Sequence, residues 1–361
     1  MKQTINVRQA GILLIMCIFA NKILLLPSLM YADVKADAIF VVTALFLIEI
    51  ITLPVLLMLK KHFPTQSLYE ILKGRIGVVL TKIIYILLLL FFFLKVLLVF
   101  SITYVYFKQQ IYKDEVIWIA LISFLPVINH AVVSGIRPLS RTMEIFFTVI
   151  MIGFIACLGF SLFTRISFPY MFLSNVKSFF GSVYKHIFSF GDIFFLFLII
   201  DKIEIKKGQE KTLYKYAIIG FILVIILYFL YYSKYKVTSF MHNNALADIL
   251  VFSVQFNAIG RLDIIAMITI VLITLFQMEI FSYGFSDCLL HIFPKLNWIY
   301  SVIVFDIIFC LVYYLFLGKY ETMIQSTTSW FPFLAIFINI ALPLIFWIIS
   351  LIKRRKNEKT D

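Results

Sequence analysis

Charge is what this chain has least of. Asp, Glu, Lys and Arg make up 14% of its 361 residues, where soluble domains carry about a quarter. That shortage excludes an ordinary water-facing globule. Clustered cysteine is missing too: Cys17, Cys157, Cys288 and Cys310 stand singly within apolar segments, and no C-x-x-C occurs. Cysteines placed this way act as small hydrophobes and signal neither a disulfide framework nor a thiolate metal site. His62, His130, His186, His242 and His291 are equally isolated, with no pair at ligand spacing, so no metal and no cofactor are expected. No nucleophile–base constellation appears, and the expectation is that the protein is not an enzyme. Acidic residues are the scarcer sign, 19 against 32 basic, for a net charge of +13. The basic excess lies between apolar runs, not in a stripe interleaved with aromatics. It therefore argues for membrane lipids as partners and against nucleic acid.

What the chain does have is hydrocarbon. It is 63% hydrophobic and 17% aromatic, with a mean hydropathy of +1.02. Runs of about 20 apolar residues, enough to cross roughly 30 Å of hydrocarbon, recur along its length. The expected fold class is an all-α polytopic membrane protein forming one domain over residues 1–361. Ten spans are predicted at 11–31, 38–59, 78–107, 115–133, 143–163, 184–201, 213–232, 262–289, 298–317 and 331–352. The first, from Gly11 to Tyr31, is longer than a signal-peptide core of about 7–15 residues and reads as a transmembrane helix. Two segments are neither spans nor plain loops. "KKHFPTQSLYEILKGRIG" reads as a basic amphipathic surface helix begun near Pro64, and "ALADILVFSVQFNAIG" as an interfacial or re-entrant helix. With the amino terminus inside, 20 lysines and arginines fall on the inner side and ten on the outer, while Lys22 and Lys95 lie within spans. This bias predicts both termini in the cytoplasm. Five spans on each side of the 165–185 loop match the arithmetic of inverted repeats, about 8–164 and 180–352. That symmetry is a count, since no sequence repeat is visible.

Polar residues inside spans cost about 2.5–3.5 kcal/mol each when ionisable, so each needs a reason. Span one carries "IFANKILLLPS", with Ala20, Asn21 and Lys22 at its middle. Span six carries "SFGDIFF", where Gly191 and Asp192 follow Phe190 in a Phe-rich run. Interrupted helices at matching places in two halves point to a midplane binding site, because unwound backbone is tolerated only where it lines a cavity. Lys22 is too deep for easy snorkelling; it faces either a ligand or a carboxylate such as Glu49 or Asp192. In span eight, Thr274 and Gln277 share a helical face and serve either a ligand or interhelical bonding. Arg141 and Glu144 can pair at the start of span five. Arg261 and Asp263 look structural at the start of span eight. Glu49, Lys95 and Asp306 are candidates for charge pairing or proton relay, and Glu279, Asp287 and Asn339 are further polar residues within spans.

Four stretches together resemble a known family: "RQAGILLIMCIFANKILLLPS", "LKKHFPTQSLYEILKGRIGVVLTK", "SGIRPLSRTMEI" and "GRLDII". The chain is similar to the B subunits of spore germinant receptors, endospore germination permeases within the amino acid/polyamine/organocation superfamily. The resemblance implies a five-plus-five inverted repeat with broken helices one and six. It implies a small nutrient ligand, often an amino acid, and assembly with A-type and C-type receptor subunits in the inner membrane of the spore. Two departures are visible. The family's glycine-rich break in helix one reads Ala20-Asn21-Lys22 here, and a basic residue common in span eight reads Gln277. A lysine has in effect moved from one pocket wall to another. The expected ligand site is therefore Ala20, Asn21, Lys22, Phe190, Gly191, Asp192, Thr274 and Gln277, with Glu49, Lys95, Arg141 and Glu144 as charge partners. The alternative expectation is a proton-coupled amino acid permease, with Lys22 standing in for a coupling ion.

Overall fold

Apolar runs of this length fold as helices because the bilayer core offers backbone N–H and C=O groups no water, and a helix satisfies them within the segment. The computed structural model of the chain describes residues 4–110, 117–162, 175–206, 208–251, 263–315 and 326–357. Its helices are α1 (Val7–Ile23), α2 (Leu26–Val34), α3 (Ala38–His62), α4 (Leu68–Ile76), α5 (Val78–Gln110), α6 (Ile117–Ser134), α7 (Ile136–Ser161) and α8 (Val176–His186). They continue as α9 (Phe194–Leu198), α10 (Glu210–Tyr235), α11 (Ala245–Val251), α12 (Asp263–Ile292), α13 (Trp298–Leu315), α14 (Phe331–Ile336) and α15 (Leu342–Asn357).

Among the described residues, seven stretches are long and apolar enough to cross a membrane, and the protein is an integral, polytopic membrane protein. They begin at Leu26, Val78, Ile136, Glu210, Ile264, Trp298 and Phe331. The other three expected crossings are not among these seven. The first is divided into α1 and α2; the sixth, expected at 184–201, holds the end of α8 and then α9, so that α8 occupies the second half of the expected 165–185 loop; and the fourth corresponds to the 18-residue α6. Of the expected interfacial segment, α11 is helical and the remainder lies outside the described residues, as do Arg261 and residues 165–174 of the expected loop.

The core forms around α1. Every residue of this helix except Arg8 is buried, as expected of a helix apolar on all faces. It packs against α10, α7 and α12, and α12 lies along α5. Its start is fixed by a reciprocal cap: the Asn6 side chain accepts from Gln9 N–H at 2.8 Å, and Gln9 Oε1 accepts from Asn6 N–H at 3.2 Å. The sequence did not predict the short parallel β pairing of Ile5–Asn6 with Ile203–Glu204 that precedes it. Lys60 reaches across the same end, donating to Pro64 O and Ile200 O, each at 2.7 Å. Thr4, Gly135, Lys202 and Trp298 line one recess there of about 260 Å³. The residues at 4–6, 60–64, 135, 200–204 and 298 thus gather at one end of the bundle.

The break in span one differs from expectation. Helix α1 runs unbroken through Ala20, Asn21 and Lys22, and the interruption falls at Leu24–Leu25. Pro27 decides the place. It lacks an N–H and suits the first turn of a new helix, so α2 begins at Leu26. Leu24 O at the break accepts from Ala245 N–H at 3.1 Å, and Pro27 O in the first turn of α2 accepts from the Tyr232 hydroxyl at 2.8 Å.

The surface helix after span two also starts later than Pro64. Ser67 and Glu70 form a capping box, with Ser67 N–H donating to Glu70 Oε2 at 2.9 Å, and α4 follows from Leu68. Leu68, Ile71 and Leu72 turn inward, and Gly77 at φ +85° ends the helix. Ser67→Ala is expected to cost about 1 kcal/mol, read as a lowered thermal midpoint of the purified protein.

Candidate functional site

The interruption of span six organises the site. Helix α8 tightens into a 3-10 turn over Ile187–Ser189, Phe190 is extended, Gly191 takes φ +92°, and α9 resumes at Phe194. An L side chain rarely adopts that φ, and a Cβ on Gly191 would lie 2.0 Å from Asn339 Oδ1. The break frees two N–H groups and a carbonyl, and buried side chains answer them. Glu49 Oε1, from α3, accepts from the N–H of Asp192 at 2.8 Å and from that of Gly191. Lys95, from α5, donates to Phe190 O at 2.9 Å.

The charges then close on each other. Asp192 Oδ1 accepts from Lys95 at 2.8 Å, and Oδ2 accepts from Lys22 of α1. Two ammonium groups and two carboxylates form a neutral set, drawn from α1, α3, α5 and the span-six break. All four residues are sealed from solvent: Lys22 and Lys95 are 0% exposed, Asp192 1% and Glu49 2%. Phenylalanines complete the lining. The Lys22 ammonium lies 4.6 Å from the Phe190 ring centre and 5.5 Å from Phe46. That of Lys95 lies 5.3 to 5.7 Å from Phe91, Phe188 and Phe281. Ring faces attract cations, most strongly where water is excluded.

Several buried polar atoms at this place have no hydrogen-bond partner among the described residues: both Asn21 side-chain atoms, Glu49 Oε2, Gln277 Oε1 and Asn339 Oδ1. Buried polar groups are normally satisfied, so such a concentration needs a cause. A small polar ligand or ordered water is the chemistry these atoms can accept.

The other expected site residues divide. Gln277 turns toward α1, its Nε2 donating to Cys17 O at 2.6 Å. Thr274 does not join it; its hydroxyl bonds back to Ile270 O of its own helix at 2.9 Å. Ala20 is buried in α1 and adds only packing. The expected pair of Arg141 with Glu144 is replaced. Glu144 instead holds Arg8 at 3.3 Å and Gln9 Nε2 at 3.1 Å, because the capped start of α1 lies against α7. Asp306 pairs with Asn129 at 2.6 Å.

Asp287 pairs with Lys202 at 2.8 Å, at the end where the β pairing lies. Burial there pulls the Lys202 ammonium down, but Asp287 and the Tyr283 hydroxyl outweigh it and hold it above the ordinary lysine range.

Sequence reasoning left Phe46, Phe91, Phe188 and Asn339 out of the site. Asn339 stood out as a polar residue in span ten, but a π turn at Phe337–Ala341 carries it to Gly191, and no sequence signal marks that turn. The aromatics were hidden among 40 phenylalanines.

None of the curated proteins matches the chain. A family model described as spore germination protein matches residues 4–317, across both interrupted spans and the charge cluster. The chain therefore belongs to the spore germination protein family, a family of germination permeases built into the membrane.

Proposed function

We propose that this protein is the nutrient-sensing subunit of a spore germinant receptor, and that its ligand is a zwitterion such as an amino acid. One observation carries the reading: the neutral set of Lys22, Lys95, Asp192 and Glu49 at the span-six break, flanked by buried polar atoms without partners. An ammonium–carboxylate ligand is itself a neutral pair. Its amine can replace a lysine on Asp192 while its carboxylate takes the displaced lysine, so no net charge is buried. A singly charged ligand would leave one charge uncompensated in low dielectric, at several kcal/mol.

The proposal places ten spans in a five-plus-five inverted repeat, about 8–164 and 180–352, with interrupted helices one and six meeting at the midplane. Both termini lie in the cytoplasm and the chain resides in the spore inner membrane. Binding shifts a two-state equilibrium that A-type and C-type partner subunits read; the ligand acts through its difference in affinity for the two states. The test is calorimetric titration of the protein in lipid nanodiscs with a panel of amino acids and their amides, which keep the ammonium charge and lack the carboxylate. At least one zwitterion is expected to bind, its amide at least tenfold more weakly, and neither to Lys22→Met. Equal binding of acid and amide, or full binding by Lys22→Met, would overturn the reading.

One observation favours a second reading, transport coupled to protons. Glu279 is buried in α12 with no ion-pair partner among the described residues, and a carboxylate within a membrane span marks a candidate proton relay. Uptake of labelled amino acid into liposomes holding this chain alone, lost in Glu279→Gln, would support it. Binding without uptake leaves the sensor.

A further inference from the structure

A groove of about 450 Å³ lies between α3 and α15, with Asn339 of the π turn in its lining. Its walls are apolar and include Ile51, Val55, Met58, Ile340, Leu344 and Trp347. Ile51 is 68% exposed and Leu344 52%, within stretches long and apolar enough to cross a membrane, so the groove opens toward lipid. Pro54 within α3 and the π turn before α15 interrupt regular packing there.

We propose that the groove holds one acyl chain of an anionic phospholipid. Three observations select this occupant. From Ile48 to Met58 the groove extends along ten residues of helix, about 15 Å. That is half of a hydrocarbon core of about 30 Å, the depth of a single leaflet. Of the lining residues Thr52 alone is Gly, Ala, Ser or Thr, the small residues that helix–helix contacts in membranes favour. A partner helix is thereby disfavoured. Beyond Met58 stand the half-buried Lys60 and, one turn further on, the exposed Lys61. Basic residues at that level attract an anionic headgroup.

The floor of the groove adjoins the charge cluster. Asn339 lines it and abuts Gly191. Thr52 lines it too, and its hydroxyl bonds to Glu49 O at 2.6 Å. A chain seated there presses on the two residues that back the span-six break, which ties the state of the site to the lipid around it.

Native mass spectrometry of the purified protein with equimolar phosphatidylglycerol and phosphatidylcholine tests the site, whatever the protein's ligand. One phosphatidylglycerol is expected to be retained in preference. Val55→Trp and Ile340→Trp, which fill the groove from either wall, each remove it. Ile152→Trp, on the exposed face of α7, does not. Lys61→Gln lowers the preference about fivefold, the worth of one basic residue near a headgroup. Equal retention of the two lipids, or phosphatidylglycerol retained by both groove-filling variants, overturns the proposal. So does loss of a co-purifying partner subunit from those variants with lipid retention unchanged, since the occupant would then be protein.

Discussion

Asp192→Asn is expected to destabilise the protein by about 3–5 kcal/mol, because it leaves two buried ammonium groups facing one remaining carboxylate. The change is nearly isosteric, so packing is not the cause. The amide can still accept a hydrogen bond, yet it supplies no charge. The check is thermal unfolding in detergent, with a matched second measurement. Adding Lys95→Met to Asp192→Asn removes the surplus cation and is expected to recover more than half of the lost stability, although it deletes another native contact. Lys95→Met alone is expected to be destabilising. A double variant no better than Asp192→Asn, or an Asp192→Asn protein as stable as the parent, would mean the charges are not coupled. The Lys22–Asp192–Lys95 arrangement would then have no energetic role.

Gly191→Ala is the second large effect. Holding an L residue at φ +92° costs about 1–3 kcal/mol, and the new methyl group must also displace Asn339. The side chain of Asn339 can move, so the two terms separate. Pairing Gly191→Ala with Asn339→Ala relieves the collision and leaves the backbone strain. Stability is expected to return only in part. Ligand binding is expected to fall at least tenfold in both variants, since Glu49 holds the Gly191 and Asp192 N–H groups only in this backbone geometry. Full recovery by Asn339→Ala would show that crowding alone fixes the break. Unchanged binding in Gly191→Ala would remove the interruption from the site.

Much of this was legible beforehand because each reading rested on a local rule. A glycine beside an aspartate in an apolar run marked the span-six break, and Lys22 and Lys95 were flagged by the cost of burying charge. The break in span one was misplaced by a few residues. The polar Asn21-Lys22 pair marks the middle of the span, whereas the backbone answers to Pro27, whose missing N–H acts whatever the polarity around it. Glu144 was given a neighbour three residues away, but its partners Arg8 and Gln9 lie on another helix. Thr274 faced its own backbone, a choice that a short hydroxyl makes with no regard to the rest of the bundle.

The sequence by itself determined that this chain crosses a membrane, which residues must find partners there, and that span six is interrupted at Gly191. It could do so because hydropathy, charge burial and backbone conformation act over a few residues. Only the tertiary structure decided who the partners are: Lys22 and Lys95 share Asp192, Glu49 caps the broken backbone, and Asn339 closes against Gly191. Those pairings join residues as many as 170 positions apart. Coulomb attraction and close packing depend on distance in space, and the packing of the helices sets that distance.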